Sequence, residues 1–181
     1  GGGSARRSRA QCVNGGAARR AFLSLGSNLG DRVAHLATAR GALAALLGTE
    51  IVAASRVYET LPQDEPDQPC FLNQVVCIET TLEPYELLAI VQGIEAAAGR
   101  VRETRFGPRT LDIDILLYEG VELAGDVLTI PHLRMMRRAF VLVPLLEIWS
   151  WARGMPPLDI VAAAQVTGNV QEVRLYEPDW D

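Results

Sequence analysis

The chain has 181 residues, 49% of them hydrophobic, a mean hydropathy of +0.12 and a formal charge of −5, which suffices for one core of ordinary size and not for two. No apolar run reaches the roughly 18 residues of a membrane helix, the opening segment lacks the apolar stretch of a secretory signal, and three scattered cysteines with two histidines argue against a disulfide framework or a structural zinc site. All 17 basic residues are arginine, and seven (Arg100, Arg102, Arg105, Arg109, Arg134, Arg137, Arg138) lie between positions 100 and 138, so an acidic body with one basic neighbourhood predicts a local anion site in place of a nucleic-acid track. The expectation is a soluble, cytoplasmic protein with small-molecule partners and neither nucleic acid nor membrane among them.

Residues 1–20 are rich in Gly, Ser, Ala and Arg without hydrophobic period, and are expected to be a disordered extension or leader ahead of a single domain over 21–181. Phe22-Leu23-Ser24-Leu25 predicts a short strand, and Gly26-Ser27-Asn28-Leu29-Gly30-Asp31 a turn. A helix follows with Val33, Leu36, Ala37, Leu43, Ala44 and Leu47 as its buried stripe and Gly48 as its stop. Ile51 to Tyr58 and Phe71 to Thr81 predict the second and third strands. The Leu61 to Pro69 stretch between them, with three prolines and three acids, reads as an exposed loop, either a binding lid or a connector. Pro84 opens a second helix carrying Leu87, Leu88, Val91, Ile94 and Ala98 on one face, with Gly99 past its end. Arg100 to Pro108 is a basic loop, Leu111 to Tyr118 a fourth strand, Val127 to Ile130 a short strand and Phe140 to Leu146 core. Pro157, Leu158, Ile160, Val161 and Val166 suggest a last short helix ended by Gly168. The order β-α-β-β-α-β predicts the α+β class: a ferredoxin-like βαββαβ core with a mainly antiparallel sheet, helices on one face, and C-terminal additions.

The run Arg105-Phe106-Gly107-Pro108-Arg109-Thr110-Leu111-Asp112-Ile113-Asp114 carries the most chemistry. On a strand, Asp112 and Asp114 share a face, with Cβ atoms roughly 6.6 Å apart at about 3.3 Å per residue. Carboxylates at that spacing suit one Mg²⁺ or a pair of ions that clamp phosphate oxygens. A solvated strand face imitates the bare Asp-x-Asp pattern. With the arginines added, the residues reach phosphoryl transfer and stop short of choosing β- over γ-phosphorus; an ordinary γ-phosphate kinase or nucleotidyltransferase fits the same pair. A metal-free βαββαβ binding module is a third reading.

Gly26-Ser27-Asn28-Leu29-Gly30, Tyr58-Glu59-Thr60, Phe71-Leu72-Asn73, Gly99-Arg100-Val101-Arg102, Arg105 to Asp114 and Pro131-His132 occur together and in order. With them the chain resembles the 6-hydroxymethyl-7,8-dihydropterin pyrophosphokinase family of folate biosynthesis over about residues 21–150. The resemblance implies a monomeric enzyme that transfers pyrophosphate from ATP to the hydroxymethyl oxygen of the reduced pterin and releases AMP. It implies that Asp112 and Asp114 hold two Mg²⁺ ions and that Arg100 and Arg109 steady the phosphates as catalytic residues. Gln92, Glu95, Arg102, Arg105, Arg109, Ile115, Thr129, His132 and Arg138 would bind ATP. Thr60, Leu61, Gln63, Phe71, Asn73, Phe106, Asp112 and Phe140 would bind the pterin. Phe106 stands where familiar bacterial members have Trp, Phe71 where many have Tyr, and Val127 and Leu133 where some have Arg and Tyr.

Overall fold

The computed structural model describes residues 16–61, 67–99 and 110–178. In chain order the elements are β1 (Arg19–Ser27), α1 (Arg32–Ala44), β2 (Thr49–Ala54), β3 (Tyr58–Thr60), β4 (Phe71–Thr80), α2 (Pro84–Ala97), β5 (Asp112–Tyr118), β6 (Leu123–Ala124), β7 (Thr129–Ile130), α3 (Ala139–Glu147), α4 (Ile160–Gly168) and β8 (Val173–Leu175). Among the described residues six strands form the main sheet in the order β5-β1-β4-β3-β8, with β2 also on β4, and every ladder is antiparallel. This is the expected α+β, ferredoxin-like arrangement.

Local chemistry sets the helix boundaries. The Asp31 carboxylate accepts the Ala34 N–H at 3.1 Å to cap α1, and the Glu83 N–H donates to the Glu86 carboxylate at 3.0 Å behind Pro84 to open α2. Gly99, with φ of +81°, turns the chain out of α2. α1 ends at Ala44, well before Gly48, because its buried row is Leu36, Ala39 and Leu43, and the Leu46 carbonyl then takes the Thr49 N–H to feed β2. Leu47, expected in the stripe, is 94% exposed, and Val33, Ala37 and Ala44 are exposed as well.

The single strand expected over 51–58 is broken at Ser55. Its hydroxyl accepts the Val75 N–H at 3.0 Å, and its carbonyl takes the Gln74 side-chain amide at 2.6 Å. Side chains thus replace one rung of the ladder, and β3 resumes at Tyr58 opposite Asn73. β1 begins at Arg19, earlier than expected, with the Arg19 guanidinium 4.9 Å over the Tyr118 ring and Arg20 bonded to Glu79 at 3.1 Å. β8 was not foreseen, since three residues show no periodicity.

Alternation along the central strands divides the core. Ala21, Leu23 and Leu25 meet Leu36, Leu43, Leu87 and Val91 beneath α1 and α2, each fully buried leucine contributing about 1.5–3 kcal/mol. Phe22, Val75, Cys77, Leu116 and Leu117 point the other way, under Val141, Leu142 and Leu145 of α3 and Ile160 of α4. Helices therefore cover both faces, correcting the one-face expectation, because α3 is apolar on nearly every side and must be buried. In β5 the register steps from Leu23↔Ile115 to Phe22↔Leu117. Leu116 is the extra residue of a bulge, which lets Ile113, Ile115 and Tyr118 all reach the α1–α2 side. No helix of the described residues is long and apolar enough to cross a membrane.

Candidate active site

On the α3 side of the sheet the side chains change from apolar to polar along the strands. Phe22 is paired with Cys77 and Leu117, Ser24 with Val75 and Asp114, and Gly26 with Asn73 and Asp112. The apolar end is roofed by α3 and α4, and the polar end is the candidate site. Asp112 and Asp114 are both half-buried on this face, as the period of two requires.

Among the described residues, two basic groups converge around Asp114. His132 Nε2 lies 4.0 Å from Oδ1 and an Arg138 guanidinium nitrogen 4.0 Å from Oδ2. His132 is placed by its main-chain N–H, which donates to the Leu116 carbonyl at 2.9 Å. Its Nδ1 accepts the Arg134 N–H at 3.1 Å, so the ring proton of the neutral form is on Nε2, turned to the carboxylate. Burial, then the Arg138 and Arg134 charges, push its pKa down to about 4, against a weaker upward pull from Asp112. Arg138 immediately precedes α3, and its guanidinium stands 5.4 Å over the Phe140 ring.

The second group lies across Gly26. Asn73, 3% exposed, donates from Nδ2 to the Thr60 hydroxyl at 2.9 Å. A methyl group at Gly26 would stand 3.3 Å from Asn73 Oδ1 and 3.8 Å from Phe71, so the missing side chain leaves the floor between Asn73 and Asp112 flat. Leu61 is exposed just past β3. The Asn28 side-chain amide donates to the Pro69 carbonyl at 3.3 Å and to Gln68, tying the β1–α1 turn to the approach to Phe71.

Other expected site residues take different places. Glu95 is buried on α2 and accepts the Ile113 N–H at 3.4 Å, between the two aspartates in sequence. Gln92, one turn earlier, is exposed. Ile115 buries its side chain beneath α1 and α2, so any ligand contact it makes is through its main chain. The Thr129 hydroxyl donates within its own hairpin, to the Gly125 carbonyl at 3.4 Å. Gln63, Arg100, Arg102, Arg105, Phe106 and Arg109 lie outside the described residues. Sequence reasoning quoted Glu59 only within the Tyr58-Glu59-Thr60 motif and passed over Gln171 and Arg174; the bonds of these residues adjoin Thr60 and Arg138.

Among the described residues no group of three possible protein ligands gathers. Two oxygen donors on one open face fit a hard cation completed by water and phosphate oxygens, as Mg²⁺ is usually bound, and do not fit a structural zinc site.

The model of the family described as 7,8-dihydro-6-hydroxymethylpterin-pyrophosphokinase matches residues 22–150. A 2-amino-4-hydroxy-6-hydroxymethyldihydropteridine pyrophosphokinase of Methylorubrum extorquens is 53% identical over 129 residues, 71% of this chain and 82% of that one. Its Bacillus subtilis counterpart is 46% identical over 128 residues, 71% of this chain and 77% of that one. Among solved structures, an HPPK-DHPS in complex with substrates superposes with a TM-score of 0.62 at 15% identity, covering 84% of this chain and 44% of the other. A Plasmodium falciparum HPPK-DHPS gives 0.57 at 18% identity, covering 84% and 42%. At those identities the solved structures support the fold, and this chain spans under half of their length.

Proposed function

From the premise that this chain belongs to the 7,8-dihydro-6-hydroxymethylpterin-pyrophosphokinase family, we propose that the Asp112–Asp114 face and the Asn73–Thr60 edge are the nucleotide and pterin halves of one active site. The enzyme transfers pyrophosphate from ATP to the hydroxymethyl group of 6-hydroxymethyl-7,8-dihydropterin, giving AMP and the pterin diphosphate, a step of folate biosynthesis. The observation that carries the division of the site is the register of β1, where Gly26 faces Asn73 on one side and Asp112 on the other. A flat heterocycle read by Asn73 would thus present its substituent towards the carboxylates.

Asp112 and Asp114 would hold two Mg²⁺ ions, which when bound supply charge neutralisation at the phosphates. Transfer of this kind needs alignment and electrostatic stabilisation more than covalent help from the protein. Arg138, braced on Phe140 and aimed at Asp114, would take a phosphate oxygen with its planar fork. Neutral His132 would donate from Nε2 on the same side. Arg100 and Arg109 would steady the pyrophosphoryl group, with Arg102 and Arg105 at the nucleotide and Gln92 and Thr129 at its periphery. On the pterin side, Asn73 and the Thr60, Leu61 and Gln63 main chain would read the ring edge, with Phe71, Phe106 and Phe140 as walls. We further take residues 21–181, together with the strand residues Arg19 and Arg20, as one catalytic unit acting as a cytoplasmic monomer on small molecules alone.

The test is product analysis with ATP, Mg²⁺ and the hydroxymethyl dihydropterin. AMP is expected with the full chain and is lost on Asp112→Ala. Formation of ADP, or full turnover by Asp112→Ala, would overturn the reading.

A further inference from the structure

The segment that follows α4 lies beyond residue 150, where the family match ends, and it reaches both halves of the site. Gln171 accepts the Ala139 N–H at 2.7 Å and donates to the Arg137 carbonyl at 2.9 Å. These two bonds straddle Arg138, the residue aimed at Asp114. Gln171 is itself held by its main-chain N–H on the Thr167 carbonyl of α4 at 2.9 Å. In the middle of β8, Arg174 donates to one oxygen of Glu59 at 2.6 Å, while Arg32 donates to the other at 2.9 Å and to the Cys70 carbonyl at 2.8 Å. Glu59 adjoins Thr60, Cys70 adjoins Phe71, and Thr60 is paired with Val173 on one side and Phe71 on the other.

An inert sheet edge would also look like a short strand with an ion pair. Arg174 is 65% exposed at its side chain, and such pairs add little to global stability. The partners chosen by this segment, however, are the immediate neighbours of Arg138 and of Thr60. A side chain that brackets a ligand-binding residue with main-chain bonds restricts that residue's direction even when it adds little to folding.

We propose that Gln171 and Arg174 are positioning residues, one for each substrate: Gln171 sets Arg138 towards Asp114, and Arg174, through Glu59, sets Thr60 and with it Asn73. The inference rests on the division of the site into nucleotide and pterin halves. It predicts a split that a purely structural tail would not produce.

The experiment uses the full chain carrying Gln171→Met, Arg174→Met or Arg174→Lys. Arg174→Met is expected to raise KM for the pterin about three- to tenfold, the scale of a lost exposed ion pair that acts through its neighbour, with KM for ATP unchanged. Arg174→Lys recovers part of the loss. Gln171→Met is expected to raise KM for ATP or lower kcat, with KM for the pterin unchanged. Equal shifts in both KM values for either variant, no shift in either KM for Arg174→Met, or no change in both KM values and kcat for Gln171→Met, would overturn the proposal. Hydrogen exchange of the ligand-free proteins gives a readout independent of turnover. Exchange should quicken at Thr60 and Phe71 in Arg174→Met, and at Ala139 and Val141 in Gln171→Met. If the unaltered chain makes no AMP, the functional reading fails while this readout still decides the positioning. The same acceleration in both segments for both variants would refute it.

Discussion

Asn73 Nδ2 donates to Thr60 Oγ1 at 2.9 Å, and this one bond fixes which end of the Asn73 amide is turned towards Gly26. Because Asn73 is 3% exposed, its amide is held before any ligand arrives and loses little freedom on binding. Asn73→Leu keeps the size and removes both polar atoms, so a pterin amide edge would lose its partner. The expected outcome is a rise of tenfold or more in KM for the pterin, the size of about 1.5–3 kcal/mol for a desolvated hydrogen bond. Nucleotide affinity, measured by titration calorimetry with a non-hydrolysable ATP analogue, should stay within about twofold.

Gly26→Ala tests the flat floor directly. The added methyl would stand 3.3 Å from Asn73 Oδ1, and Asn73 cannot retreat without giving up Thr60. Lower chain entropy in the unfolded state offsets some of the crowding, so stability should change by less than about 1 kcal/mol in urea unfolding. Pterin affinity should fall well beyond that. Unchanged affinity would mean that the ring does not lie over Gly26.

The parts of this arrangement that were legible in the sequence are those set by local period. Asp112 and Asp114 share a face because a strand repeats every two residues, and the βαββαβ order follows from apolar patterns, the turn from Gly26 to Asp31 and the helix opening at Pro84. Glu95 was legible too, had its row been followed: Leu87, Val91 and Glu95 recur every four residues, and the first two are buried. What sequence did not carry depends on bonds between distant segments. The break at Ser55 needs Gln74 and Val75 opposite it, the Leu116 bulge needs the β1 register, and the turn of His132 towards Asp114 needs the Leu116 carbonyl. β8 has too few residues to signal itself and exists because β3 offers it an edge.

Asp114→Asn preserves shape and removes one carboxylate from the face that suits Mg²⁺. The expected result is a fall in kcat of about 10²-fold or more, as when one preorganised electrostatic group is lost from a transferring phosphate, together with a Mg²⁺ requirement displaced to higher concentration. AMP formation followed across a Mg²⁺ titration checks both. Near-normal turnover with an unaltered Mg²⁺ curve would remove Asp114 from the metal site.

His132 supplies a pH dependence whose sign can be worked out. Its folded pKa of about 4 lies below the ordinary 6.5, chiefly through burial and then through Arg138 and Arg134. Between those values the unfolded chain binds a proton that the folded chain refuses, so the stability contributed by neutral His132 is complete above pH 6.5 and is lost as pH falls towards 4. The displacement corresponds to about 3 kcal/mol. His132→Gln does not titrate, and the carboxylates common to both proteins cancel in a comparison. Urea unfolding of the ligand-free proteins at pH 7 and pH 4.5 should therefore show the unaltered chain losing about 2–3 kcal/mol more than the variant. Equal losses would mean that the imidazole is solvated and takes its proton as readily folded as unfolded.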